Sequence, residues 1–374
     1  MKIKAAVLED MGRAGPYAAS RPLKILDVEL DGPGPGEVLV RIAAAGLCHS
    51  DLSVINGDRP RPLPMVLGHE ASGVVEEVGA GVDDLVRGDH VVCVFVPSCG
   101  HCAPCAQGRP ALCEPGAEHN GKGDLLSGGF RLHRGEARVH HHCGVSCFAE
   151  YATMSRRSLV KVQKEVPLHI AALMGCAVLT GTGAVFNGGD VGPGGKAAII
   201  GLGGVGLAAV MGAIAIGAET VVAIDMFEPK LALARELGAT HTINPTRVDA
   251  TEEITKITGY GVNFALDTTG MAAVIRGAVM SLAPMGTCGI LGASAMGTEI
   301  TLDEVHFMSG GRRLMGIVEG ESVPEVFIPM LAELNAQGRF PFDRLVKFYS
   351  LDQINEAIHD SETGKTIKPI VRMS

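Results

Sequence analysis

Lys196-Ala-Ala-Ile-Ile-Gly-Leu-Gly-Gly-Val-Gly206 sets a short apolar run directly before a G-x-G-x-x-G loop, and Ala208–Ile216 follows with helix-like spacing. That order predicts a strand, a tight turn and a helix. In such a unit Gly201, Gly203, Gly204 and Gly206 permit the tight turn, the close approach of a diphosphate, and close packing of helix on strand. The helix N-terminus favours the phosphate charge. A second apolar run, Thr220–Asp225, ends on a carboxylate. Asp225 can there accept hydrogen bonds from the adenosine ribose hydroxyls and repel a 2′-phosphate, which favours NAD over NADP. The other reading of Asp225 is an ordinary strand-end acid. Lys230 can add a second ribose contact.

Working outward, Val262–Asp267, Gly286–Leu291 and Arg312–Val318 continue the series of short apolar runs, and Pro229–Leu237 fills one gap with helical spacing. Strands alternating with helices predict βαβ units and a parallel sheet, here over residues 179–319. Upstream, turn formers such as Asp31-Gly-Pro-Gly-Pro-Gly36 separate β-branched runs at Val38–Ile42, Gly73–Val78 and His90–Val94. These predict an irregular β-rich domain. The tail from Pro324 onward is expected to pack back on it. Residues 1–178 and 320–374 would then form one domain, with the nucleotide domain as an insert. A chain of 374 residues exceeds the size at which single cores stop growing.

Composition narrows the function classes. With 47% hydrophobic and 20% charged residues the chain suits a globular protein with an ample core. A net charge of −9 argues against a general nucleic-acid binder, which needs a basic face. No N-terminal stretch has the signal-peptide pattern, and the apolar runs are too short to span a bilayer. No membrane partner and a cytoplasmic location are therefore expected.

Four of the ten cysteines fall in Cys99-x-x-Cys-x-x-Cys-x₇-Cys113, within a lobe of about residues 95–116. Cys99, Cys102, Cys105 and Cys113 would supply four thiolates and leave no open coordination position, which predicts a structural zinc. An iron–sulfur cluster is the other occupant such a set can hold, but no electron-transfer context accompanies the run. Three further residues are dispersed: Cys48 in Gly46-Leu-Cys-His-Ser-Asp51, His69 in Gly68-His-Glu70, and Cys176 in Gly175-Cys-Ala-Val-Leu-Thr180. Singly, each is as readily a core residue.

Together with the four-cysteine lobe and the Gly-rich loop, these motifs resemble the zinc-containing medium-chain alcohol dehydrogenases along essentially the whole chain. The resemblance implies an α/β fold, a Rossmann doubly wound parallel sheet plus a β-rich GroES-like catalytic domain. It implies two zinc ions per chain, the catalytic one held by Cys48, His69 and Cys176 with a fourth position open. Glu70 would lie near that metal and Asp51 would orient His69. Ser50 matches the hydroxyl that receives the alcohol proton, and Ser53 stands where some relatives carry the relay's terminal histidine. His49 and Lys368 match cofactor-phosphate positions, and Thr180 and Val205 positions against the nicotinamide ring. Phe95, His142 and Cys143 fall at substrate-pocket positions, where a polar His142 would admit substrates bearing more than hydrocarbon. The run His140-His-His-Cys143 is not read as a third metal site, because adjacent residues rarely converge on one ion unaided. Gly316-Ile-Val-Glu-Gly320 and Gly338-Arg-Phe-Pro-Phe-Asp343 resemble the aryl (benzyl-type) members.

The implied reaction is reversible hydride transfer from a primary alcohol, aromatic or allylic favoured, to NAD. Zinc would act as Lewis acid and template, and the nicotinamide would accept the hydride. The alternatives are a thiol-dependent formaldehyde dehydrogenase, an aliphatic or ω-hydroxy acid alcohol dehydrogenase, or a nucleotide-binding protein without catalysis. Intact Cys48, His69, Cys176 and Ser50 count against the last. The expected partners are a small-molecule alcohol or aldehyde and a second copy of the chain. Arg312–Val318 would be the exposed edge strand of a homodimer, with a tetramer as the other assembly.

Overall fold

The strand Lys196–Ile200 is a run of small and β-branched residues, buried from Ala197 onward. Such a strand is stable only when covered on both faces, as in a parallel sheet. In the computed structural model, which describes residues 1–189 and 191–373, it pairs in parallel with Thr220–Ile224 on one side and Val262–Asp267 on the other. The six-stranded sheet runs His241–Ile243, Thr220–Ile224, Lys196–Ile200, Val262–Asp267, Leu282–Ile290, Arg313–Gly316. Every neighbouring pair is parallel. Strand order reverses beside Lys196–Ile200, and the Gly-rich loop leaves the sheet at that switch point, where open α/β sheets bind ligands.

Helices return the chain between these strands and bury apolar residues such as Ile254, Ala278 and Val279 in one core with Val222, Ala265 and Cys288. Their ends follow local chemistry. The helix Ala250–Thr258 starts on Asp249, whose side chain accepts from Glu252 N at 2.9 Å, and stops at Gly259 with φ 82°. The helix after the Gly-rich loop is Gly204–Ala215, longer at its start than the expected Ala208–Ile216. The last strand is shorter than the Arg312–Val318 run suggested, ending at Gly316.

The remaining strands form two sheets. Lys2–Leu8, Leu23–Leu30, Leu132–Arg134, Ala137–His141 and Met65–Val66 close into a barrel of five strands. A 7-stranded sheet runs Leu159–Val162, His90–Cys93, Ala71–Val78, Glu37–Gly46, Lys368–Arg372, Val346–Ser350, with Tyr151–Ser155 also paired to Glu37–Gly46. The strand Glu37–Gly46 is the spine of that sheet, because three strands pair along it.

Chain contacts divide the protein into two units. The first comprises Met1–Cys176, Val323–Gln337 and Asp343–Ser374, and the second Ala177–Ser322 and Gly338–Phe342. The short segment Gly338–Phe342 thus belongs with the second unit, where the sequence reading kept it with the first. Among the described residues no single helix is long and apolar enough to cross a membrane. The consecutive helical stretches Leu168–Gly175 and Ala177–Gly188 meet that test only together, and most of their residues are buried within the fold.

Candidate functional site

Cys48 sits where the spine strand ends and the helix His49–Ile55 begins. As the N-cap residue its backbone N–H needs an acceptor, and Asp51 Oδ2 provides one at 3.0 Å. The other carboxylate oxygen, Oδ1, accepts from Gly68 N at 3.3 Å and faces His69 Nδ1 at 3.0 Å. Gly68 has φ 90°, and a Cβ there would run into Phe148. The Gly-His-Glu motif therefore needs its glycine on steric grounds. His69 is 1% exposed, and its Nε2 lies 3.6 Å from Cys176 Sγ. Cys176 Sγ is in turn 3.9 Å from Cys48 Sγ.

These spacings can be tested against a metal. A tetrahedral zinc with Zn–S of about 2.3 Å and Zn–N of about 2.0–2.1 Å needs S···S and S···N edges of about 3.8 and 3.6 Å. The observed 3.9 and 3.6 Å fit both edges. Electrostatics point the same way. A hydrogen bond from Cys176, with His69 close by, holds Cys48 well below the ordinary thiol range despite burial. Sharing a proton with Cys48, together with burial, pushes Cys176 up. Burial works against ionisation of Asp51, but His69 beside it and the close approach of His142 more than offset it and keep the carboxyl below its usual range.

Glu70 is fully buried behind this cluster, and burial lifts its carboxyl to about 7 against the pull of Lys368. Lys368, expected at a cofactor phosphate, is engaged elsewhere. Lys368 is 3% exposed, and its ammonium donates to Leu47 O at 2.9 Å and is paired to Glu70 Oε2, so it does not stand free for a phosphate. A buried carboxylate needs a buried cation, and Lys368 is placed as that cation.

Phe95 and His142 both meet the His69 ring edge-on, at 5.6 and 5.3 Å between centroids. Ser50 Oγ lies 3.9 Å from Cys48 Sγ, while His49 is exposed. Ser53 is buried, and its hydroxyl donates to His49 O at 3.1 Å. The run 140–143 does not converge. His141 Nε2 accepts from Arg131 N at 3.1 Å, and burial drives that ring down to about 3, so it is neutral. His140 packs against Phe130, Cys143 is half-buried with φ 54°, and only His142 joins Asp51 and His69 in a cluster of possible donors. That last grouping was not foreseen, since nothing in the sequence spacing couples His142 to Asp51.

Cys99, Cys102, Cys105 and Cys113 also bring their sulfurs into one cluster. Backbone N–H groups prepare it: Cys99 Sγ accepts from Cys102 N at 3.2 Å and His101 N at 3.5 Å, and Cys113 Sγ from Cys99 N at 3.1 Å and Gly116 N at 3.3 Å. Donors of this kind stabilise thiolate over thiol, and they overcome burial to bring Cys99 down to about 6. Four sulfurs fit a closed zinc site.

In the second unit Gly201 turns with φ 88°, its N–H donating to Ile224 O at 2.9 Å. A Cβ on Gly206 would strike the Gly201 carbonyl, whereas one on Gly203 would meet no protein atom. Gly206 thus serves helix–strand packing, and Gly203 keeps a space clear at the helix N-terminus, as a bound diphosphate requires. Asp225 accepts from Leu202 N at 2.8 Å and Phe227 N at 2.9 Å, so it also fixes the loop. Lys230 Nζ stands 3.6 Å from Asp225 and 4.9 Å from the Phe227 ring centre. Val205 is half-buried in the first turn of the helix, and Thr180 Oγ1 is buried with no hydrogen-bond partner.

Comparison with known proteins gives this geometry a family. Residues 34–164 match the alcohol dehydrogenase GroES-like domain and residues 204–336 the zinc-binding dehydrogenase domain. The chain is 40% identical to geraniol dehydrogenase of Castellaniella defragrans over 98% of this chain and 97% of that protein. It is 40% identical to the NDMA-dependent alcohol dehydrogenase of Amycolatopsis methanolica over 100% of both. The crystal structure of benzyl alcohol dehydrogenase from Acinetobacter calcoaceticus superposes with a TM-score of 0.94, at 39% identity and full coverage of both chains. The family uses zinc and a nicotinamide dinucleotide, and the two donor clusters and the Gly-rich loop suit those groups. The chain belongs to the zinc-containing medium-chain alcohol dehydrogenases, oxidoreductases that couple a GroES-like domain to a Rossmann-type one.

Proposed function

We propose that this chain oxidises primary alcohols whose carbinol carbon is benzylic or allylic to the aldehydes, reversibly, with NAD as hydride acceptor. The observation that supports it most is the convergence of Cys48 Sγ, His69 Nε2 and Cys176 Sγ at tetrahedral spacing, three donors and not four. A fourth position is then free for a substrate oxygen. Zinc held there supplies Lewis acidity that eases loss of the alcohol proton. The side chains carry the rest. Asp51 orients His69, Glu70 sits beside the metal with Lys368 balancing its charge, and Ser50 takes the alcohol proton. Ser53 is turned back onto its own helix by its bond to His49 O, so it does not stand as the next acceptor after Ser50.

Asp225 favours NAD over NADP, with Lys230 beside it at the ribose. Gly201, Gly203, Gly204 and Gly206 receive the diphosphate, His49 contributes a further contact to it, and Thr180 and Val205 face the nicotinamide. Phe95, His142 and Cys143 wall the substrate near His69. A second zinc in the four-cysteine lobe holds that lobe in shape. Geraniol is allylic and benzyl alcohol aromatic, and those two names support the substrate class. Thiolate metal sites require a reducing compartment, which favours the cytoplasm. Pairing through Arg313–Gly316 as a homodimer completes the reading, with a tetramer as the alternative assembly.

The test is NADH absorbance with benzylic, allylic, short aliphatic and ω-hydroxy acid substrates, alongside zinc content per chain. Two zincs and highest kcat/KM on the first two classes are expected. Turnover of formaldehyde only with an added low-molecular-weight thiol would replace this reading.

A further inference from the structure

Asp51 has more company than the orientation of His69 requires. One oxygen serves Cys48 N, and the other serves Gly68 N and His69 Nδ1. A second imidazole stands on that same oxygen. His142 Nδ1 is 3.3 Å from Asp51 Oδ1, off the line of a hydrogen bond and with no other partner. Asp51 is 0% and His142 2% exposed, so bulk water does not share the charge.

The backbone holds the ring in that place. His142 N donates to Ser146 Oγ at 2.9 Å, and that hydroxyl donates to Val66 O at 2.8 Å. Val145 N and Ser146 N return to His142 O, at 3.0 and 3.1 Å. The turn passes through Cys143 and Ser146 at φ 54° and 53°, both in the left-handed region that non-glycine residues seldom occupy. Two such residues in one turn persist only where surrounding structure over-determines them.

We infer that His142 is a positioning residue for the metal-binding histidine: its Nδ1 steadies the Asp51 carboxylate and, through it, the orientation of His69. This rests on the assignment of Cys48, His69 and Cys176 to the catalytic zinc. A carboxylate closed off from water loses support when a polar partner is removed. Outer partners of metal-binding histidines typically alter metal affinity or activity about 10–100-fold when lost. The ring alone provides the edge contact to His69; the nitrogen provides the hold on Asp51.

Three substitutions separate those two roles. His142→Phe keeps a ring and removes the nitrogen. His142→Asn places an amide nitrogen near the Nδ1 position, and His142→Gln places one near Nε2. Two readouts are taken on the full-length protein: the rate at which a chromogenic chelator removes the catalytic zinc, and the visible absorption after cobalt(II) replaces it. The structural zinc serves as internal control. His142→Phe should release catalytic zinc about tenfold faster and shift the cobalt bands, with structural zinc unaffected. His142→Asn should restore both readouts, and His142→Gln should not. Equal behaviour of Phe and Asn, or a wild-type cobalt spectrum in both, overturns the inference. If the Phe variant does not fold, the contrast between Asn and Gln decides alone. A Cys48→Ser protein that keeps two metals per chain would instead remove the underlying site assignment.

Discussion

Asp225 commits both oxygens to backbone N–H groups of Leu202 and Phe227, yet each oxygen retains a lone pair for a ribose hydroxyl. Asp225→Ser should therefore weaken NAD about tenfold to a hundredfold, one charge-assisted contact of about 1.5–3 kcal/mol, and relax discrimination against NADP. Measuring kcat/KM for both cofactors at saturating alcohol decides this; an unchanged ratio returns Asp225 to a strand-end acid that only shapes the loop. Lys368 supports a different expectation. Lys368→Met leaves Glu70 buried without its cation and should cost about 3–5 kcal/mol in denaturant unfolding. Adding Glu70→Leu to it should recover much of that loss, and failure to recover would mean the pair is not what Lys368 supports. Asp225 was legible in the sequence because strand, loop and acid are neighbours along the chain. The pairing of Lys368 with Glu70 was not, for the residues are 298 positions apart and meet only through sheet pairing. His142 was expected at the pocket by resemblance, but its place on Asp51 depends on a turn in which Cys143 and Ser146 take left-handed φ without being glycines.

At the scale of elements, the Gly-rich turn makes a prediction with two opposite arms. Gly203→Ala should leave the melting temperature of the cofactor-free protein nearly unchanged, since the added methyl meets nothing and φ is −78°. It should weaken NAD by more than about tenfold if a diphosphate uses that space. Gly206→Ala should instead destabilise the fold by about 1–3 kcal/mol, because helix and strand must part. Calorimetry with and without NAD separates the two; a Gly203→Ala protein of undiminished affinity would place the diphosphate elsewhere.

A second case joins the helix Ile354–Glu362 to the strand Val346–Ser350. Asp360, 6% exposed, accepts from Tyr349 Oη at 2.7 Å and from Lys347 and Lys365 Nζ at 3.0 Å each. Burial opposes its ionisation, but these three partners prevail and bring its pKa down to about 2, from 3.8. A depressed carboxyl stabilises the fold above its unfolded pKa and ceases to as pH falls through the folded one. The contribution, on the order of 2 kcal/mol, should be full above about pH 4 and vanish toward pH 2. Asp360→Asn should remove it at neutral pH and flatten the acid limb of the stability curve; parallel limbs in both proteins would refute this. Five of the six parallel strands and the helices Gly204–Ala215 and Glu228–Glu236 were foreseen because their apolar periods are local; the strand His241–Ile243, only three residues long, was not. The barrel was not, since its strands of two to eight residues carry too little pattern to announce their partners.

For the whole molecule, Arg313–Gly316 is the outer strand of the parallel sheet and pairs on one side only. Met315→Lys places a charge in that edge and should shift sedimentation toward the monomer if two copies join there; an unaltered assembly would locate the interface elsewhere. The other sheet has its own peculiarity. Its spine strand Glu37–Gly46 waits for Lys368–Arg372, and the bond from Lys368 to Leu47 spans 321 residues. During synthesis the nucleotide-binding unit, nearly all one continuous stretch, emerges from the ribosome before that closing strand does. The first unit must therefore stand with an open sheet edge and an unbalanced Glu70 while the second is free to complete. A released chain truncated after residue 350, which has the whole second unit but lacks Lys368–Arg372, should accordingly resist protease over 177–322 and be cut within the first 176 residues.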